Sequence, residues 1–421
     1  MFSLRSIFLT VLQLHLAQAS KPQIGFELES FDMSLFNFRC SEDDYYSMKG
    51  HQVAGQRGNN WFLGVDDTPA KTWRLNPEYD IRCDLGDLES LKGITQEVKQ
   101  SMRFLGYAKQ VWVQNNQGKK DVCNPWKPRQ LFSALSKSPD KAIWNLQATA
   151  PLMLEGIQDL LTTAVKKERN PLVGVSSRAN LVYIQKSWID SNQFLKEATG
   201  GSYWATQDML GFLSVVSSTM RAATELSAPF YQPGRKFLYS LGPKGLIWIM
   251  PRHYWTSVFS LVRDKMPKDV KLWDILEHLA CYRNTVDGQL QLDERFCDDT
   301  GDKRKPQPNG NLQKLAWSLK GGKDPLTVKE WIDSIQSTST NGHDLPDALS
   351  EWDEKHFDGQ IGGFSRLGKP FETALGSKRK IALWEFRGLG DITQSQISQH
   401  LEAIQVQVVK FHKRYSKSLP S

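Results

Sequence analysis

A chain of 421 residues that is 40% hydrophobic and carries 14 tryptophans has ample material for a packed core, which excludes global disorder. Its formal net charge of +7 is spread along the chain without an arm of consecutive Lys or Arg, so composition does not imply nucleic acid binding. After the N-terminal run, the longest apolar stretch is Met209 to Val216, ended by Ser217 and Ser218, far short of the roughly 20 residues that span a bilayer.

In chain order, residues 1–19 read as a cleaved signal peptide: a positive charge at Arg5, an apolar run from Ile7 to Leu16, and the small-x-small site Ala17-Gln18-Ala19. The working protein is then expected to be residues 20–421, secreted. Partial alternation with β-branched and aromatic content predicts strands over Gln23 to Glu29, Trp61 to Val65, Lys109 to Gln114, Ala142 to Thr149, Leu246 to Met250 and Lys380 to Arg387. Helical spacing predicts helices over Leu88 to Phe104, Pro151 to Lys167, Thr206 to Glu225, Trp273 to Tyr282, Thr327 to Ile335 and Thr393 to Tyr415. The last is the clearest, with Ile397, Leu401, Ile404, Val408, Phe411 and Tyr415 recurring at steps of four and three. Pro151 reads as a first-turn residue of its helix. Strands scattered among helices imply one large α+β domain, a curved and mostly antiparallel sheet with helices on one side. No dinucleotide or P-loop unit is present.

Five cysteines, Cys40, Cys83, Cys123, Cys281 and Cys297, allow up to two disulfides in an oxidising route, and Cys281 with Cys297, flanking a polar segment, is the best local pair. No Cys-x-x-Cys, zinc spacing or Asn-x-Ser/Thr acceptor occurs.

The densest chemical signal is Gly25-Phe26-Glu27-Leu28-Glu29. On a strand, Glu27 and Glu29 share a face about 7 Å apart, with Phe26 and Leu28 packed behind. Two such carboxylates suit Mg²⁺ ligation or acid–base work, and they are also what a half-exposed strand shows. In Ile381 to Arg387, Glu385 and Arg387 share a face and could hold a metal and a phosphate side by side or form a plain cross-strand ion pair. The segment Gly362 to Lys369 is a flexible basic loop in which Arg366 and Lys369 could approach a phosphate chain, without Walker spacing. Gln147 and Thr149 alternate on the strand ending at Thr149 and read as sheet surface more readily than as polar groups of a site.

Together these residues resemble the carboxylate–amine ligases of the glutamine-synthetase-type fold, including glutamate–cysteine ligases and amidoligases. Gly25-Phe26-Glu27-Leu28-Glu29 is similar to their Gly-x-Glu-x-Glu strand and Trp384-Glu385-Phe386-Arg387 to their closing Glu-Phe-Arg strand. Asn145 to Leu152 and Ile249 to Arg252 resemble further amidoligase segments. The resemblance implies Glu27, Glu29 and Glu385 as Mg²⁺ ligands, with a further acidic ligand from Asp66, Asp67 or Glu78, and Arg387 and Arg252 as phosphate or carboxylate binders. It implies ATP as co-substrate and small-molecule or peptide carboxylates and amines as reactants, with a host or target-cell protein also possible. These ligases often carry a His in a mid-chain strand, and neither His253 nor His278 matches it. A secreted effector or toxin-like binder on a degenerate ligase scaffold is the rival reading, and a secreted glycosidase using Glu27, Glu29 and Glu385 is the third. Gly-x-Ser-x-Gly and His-Glu-x-x-His are absent. The basic residues Lys410, Lys413, Arg414 and Lys417 read as a solvated face of the last helix.

Overall fold

The computed structural model describes residues 23–30, 36–37, 52–55, 60–67, 74–116, 141–165, 170–173, 206–216, 237–239, 249–251, 255–266, 270–284, 290–295, 297–301, 307–308, 315–317, 326–336 and 381–416. The signal-peptide pattern, Arg252, His253, Arg366, Lys369, Cys40 and Cys123 lie outside them.

Alternation of apolar and polar residues builds one large antiparallel sheet. Its strands are β1 (Gln23–Glu29), β2 (Phe36–Asn37), β3 (Gln52–Gly55), β4 (Trp61–Asp67), β5 (Arg74–Asp84), β6 (Trp144–Met153), β7 (Ile249–Pro251) and β8 (Ile381–Ile392). The order is β3-β4-β5-β1-β6-β8-β7, with β2 also pairing β5, and every pairing in it is antiparallel. The expected α+β class with an antiparallel sheet is therefore what the chain adopts. A smaller three-stranded sheet holds the parallel pairing of Leu315–Trp317 with Phe237–Tyr239.

One face of the large sheet is apolar. Ile24, Phe26 and Leu28 of β1 stand level with Cys83, Ile81 and Tyr79 of β5, and Phe26 and Leu28 with Ala148 and Leu146 of β6, all buried. Helices α1 (Leu88–Asn116) and the C-terminal helix Ile397–Ser416 pack on this side. The latter buries Ile397, Leu401, Ile404, Val408 and Phe411 along one stripe, as its spacing predicts. Its start is fixed by a capping box between Thr393 and Gln396, and polar contacts pin its register: Thr95 with Ser398, Lys99 to Ser398, and Gln405 to the carbonyl of Asp84. Tyr79 reaches through to Ser101 of α1 at 3.0 Å and meets Trp144 edge-on. A second aromatic cluster joins Phe212, Trp255, Phe259 and Trp331 from three helical segments.

Several expectations are corrected. Lys109 to Gln114 is helical, the continuation of α1, because the β-branched alternation there follows an established helix and Gly106 alone costs only about 1 kcal/mol. Pro151 lies in β6 rather than opening a helix, and the helix starts at Leu154. The strand tolerates it because the β1 ladder ends at Gly25 and Thr149, so among the described residues Pro151 pairs only with β8, opposite Leu383. Tyr282 belongs to a short hairpin strand after the helix Leu272–Ala280. Strand β5, carrying Asn76, Glu78, Asp80 and Arg82 at every second position, was not expected at all.

Cys281 and Cys297 form the anticipated disulfide, with Cα atoms 5.5 Å apart. The Cys83 thiol is buried between the sheet and the C-terminal helix, and burial first, then Asp84 and Asp87, pushes it up to about 12. The folded protein should therefore leave Cys83 unmodified by iodoacetamide at pH 8, as peptide mass spectrometry reads it, while the urea-unfolded chain reacts. Because the raised value favours the protonated thiol, its contribution to stability is complete below pH 9 and is lost as pH rises toward 12.

Candidate functional site

The opposite face of the sheet carries the chemistry. Register places Glu27 level with Asp80 on one side and Gln147 on the other, Glu29 level with Glu78 and Asn145, and Gly25 level with Arg82 and Thr149. Thr149 in turn stands level with Glu385, so residues from β5, β1, β6 and β8 share this face. Each side chain points there for the same reason: it occupies the strand position between two core residues.

Within the face, Glu27, Glu78 and Asp80 offer carboxylate oxygens that all lie within 4.8 Å of one another. Three carboxylates at that spacing repel one another unless a cation or protons intervene. An all-oxygen donor set suits a hard divalent ion such as Mg²⁺ or Mn²⁺ rather than zinc. Two buried amide oxygens on the same face, Asn76 Oδ1 and Gln147 Oε1, have no hydrogen-bond partner among the described residues, as a face that receives a ligand would show. The residues present thus fit a divalent cation.

Glu385 is fully buried and accepts a 2.7 Å hydrogen bond from Arg387 Nε. Burial works against the Arg387 charge. The fields of Glu385 and Glu27, the Glu385 hydrogen bond and the field of Glu29 outweigh it, holding the guanidinium pKa above its usual value. That response ties Arg387 electrostatically to both β1 carboxylates. Its placement comes from a bulge: Phe386 is level with Ala148 and Gly390 with Leu146, so Arg387, Gly388 and Leu389 all oppose the single residue Gln147. Gly388 adopts a φ of 59°, which lets the strand detour there.

Of the residues singled out in the sequence, Glu27 and Glu78 join the acidic cluster. Glu29 lies on the same face, largely buried, with the Asn76 amide 3.5 Å from its Oε1. Glu385 and Arg387 form the neighbouring pair. Asp66 and Asp67 sit on β4 at the register of Asn76 and Leu75, further along the sheet. His278 lies in the helix Leu272–Ala280. Asp80 and Arg82 were missed, though the run Asn-Pro-Glu-Tyr-Asp-Ile-Arg-Cys alternates polar and apolar just as β1 does. Gln147 and Thr149, read as sheet surface, are buried at 8% and 2% exposure.

The class this fold and face define is an α+β chain whose central antiparallel sheet presents a carboxylate cluster beside a guanidinium. No protein-family model matches the chain, and no curated protein matches it. Among solved structures, it overlaps a mutant of the ACD domain of the Vibrio cholerae VgrG toxin in complex with ADP and Mn²⁺, at 12% identity and a TM-score of 0.33 over 68% of this chain and 91% of that one. An overlap of that depth carries no weight for what this chain does.

Proposed function

We propose that this chain is an exported ATP- and Mg²⁺-dependent carboxylate–amine ligase. The observation that carries the reading is the convergence of Glu27, Glu78 and Asp80 on one sheet face beside the Arg387–Glu385 pair. A bound divalent cation supplies charge neutralisation on a transferring phosphoryl group. In this reading Glu27, Glu78 and Asp80 hold that cation. Arg387, oriented by Glu385, grips an oxyanion of the nucleotide or acceptor through its planar fork. A substrate carboxylate oxygen attacks the γ-phosphorus and the bond to ADP breaks. An amine then attacks the acyl carbon, losing a proton as phosphate departs. Preorganised charge around the transferring group is the main way such a site accelerates both steps.

The effector-type binder is the rival; an incomplete acidic set would favour it, and Glu78 and Asp80 standing beside Glu27 support the enzyme instead. A glycosidase needs two opposed carboxyl groups about 5 to 9 Å apart, and a trio closing on one point suits an ion better. The reading includes export by the residue 1–19 pattern, with the chemistry then in the secretory lumen or inside a second cell and peptide or small-molecule carboxylates and amines, or a host protein, as reactants. Titration calorimetry of residues 20–421 should register Mg-ATP binding, and an absence of nucleotide affinity would overturn the ligase reading.

A further inference from the structure

Gln147 has a buried amide oxygen without a partner among the described residues, and it stands between the two charged groups of the site. On one side it is level with Glu27 of the acidic cluster; on the other it alone opposes the bulge that bears Arg387. An orphaned carbonyl oxygen in such a place seeks a donor, since burying it unpaired costs about 1 to 3 kcal/mol of stability. The surroundings say which kind. Glu27, Glu29, Glu78, Asp80 and Glu385 outnumber Arg82 and Arg387 around it, so a positively charged or N–H-bearing group is favoured over an anion.

We propose that Gln147 Oε1 accepts a hydrogen bond from the attacking amine, so that the amine subsite lies between the Glu27–Glu78–Asp80 cluster and Arg387. This rests on the ligase reading and deepens it. A nucleophile that must reach an acyl carbon lodged between Arg387 and the acidic cluster enters over Gln147, the residue that lies between them. The substrate class is then a primary amine that docks as an ammonium group, its N–H bonds shared between Gln147 and the surrounding carboxylates, and it gives one proton to such a carboxylate to free the lone pair that attacks. Gln147 positions that group.

The test compares methylammonium binding to residues 20–421 in Mg²⁺, followed by ligand-observed NMR, for the wild type, Gln147→Leu and Gln147→Glu, with thermal melts of each. Gln147→Leu keeps the volume and removes the acceptor: affinity should fall on the order of 10-fold while the ligand-free melting temperature holds or rises. Gln147→Glu keeps an acceptor oxygen and should bind within about threefold of the wild type or tighter. Equal affinity in wild type and Gln147→Leu, weaker binding in Gln147→Glu than in Gln147→Leu, or no binding to the wild type would each overturn the assignment. Mg-ATP calorimetry on the same samples separates the two readings: nucleotide binding with an indifferent Gln147 leaves the ligase and removes the amine subsite, whereas amine binding without nucleotide does the reverse.

Discussion

The double variant Glu27→Gln, Asp80→Asn should lose divalent-cation binding by at least 100-fold and should be no less stable than the wild type when no cation is added. Both substitutions are isosteric and lower the mutual repulsion of three carboxylates whose oxygens lie within 4.8 Å of one another. With Mn²⁺ the order reverses. A ligand at 100 times its dissociation constant stabilises the state that binds it by about 2.7 kcal/mol, so the wild type should gain that much and the variant almost nothing. Scanning calorimetry with and without MnCl₂ reads both effects. If Mn²⁺ raises the melting temperature of the two proteins equally, the trio is not where the ion binds.

Arg387→Met should be the most destabilising single substitution at the site. Glu385 has no exposed side-chain surface, and the Arg387 guanidinium stands 2.7 Å from its carboxylate. Removing one member of such a pair takes from a buried carboxylate its close cationic partner, at a cost of about 3 to 5 kcal/mol. The same removal takes positive potential away from Glu27 and Glu29. Adding Glu385→Gln to Arg387→Met should recover most of the loss, because the buried position then holds a neutral group. Urea midpoints for the two singles and the double close a thermodynamic cycle, and a double as unstable as the summed singles would mean the pair is not coupled.

The two ends of the site were legible in the sequence because each couples a strong period-two pattern to chemistry. Gly-Phe-Glu-Leu-Glu and Trp-Glu-Phe-Arg put charge and bulk on opposite sides of a strand. The middle was harder. In β5 the same alternation is interrupted by Pro77, which reads as a breaker; the strand accepts it at the end of its pairing with β1, where the Pro77 carbonyl takes a hydrogen bond from the Ser30 N–H and only the N–H that proline lacks is missing. Asp80 and Arg82 were lost with that strand. Gln147 and Thr149 failed differently: alternation tells which face a residue occupies but not whether that face is open to water, and here both are buried. The helical stretch at Lys109 to Gln114 shows the converse, a local β-like pattern overridden by the helix already running into it.

The four strands that compose the acidic face come from residues 23–29, 74–84, 144–153 and 381–392. Synthesis therefore delivers the carboxylates of β1 and β5 early and Arg387 some 300 residues later. Pairings of such long sequence separation close slowly, and until β8 docks, β6 keeps an open edge. A nascent chain arrested before Ile381 would own the acidic trio but lack the Arg387 guanidinium beside it. The polar face is thus completed in a single late event, when the last strand of the sheet arrives.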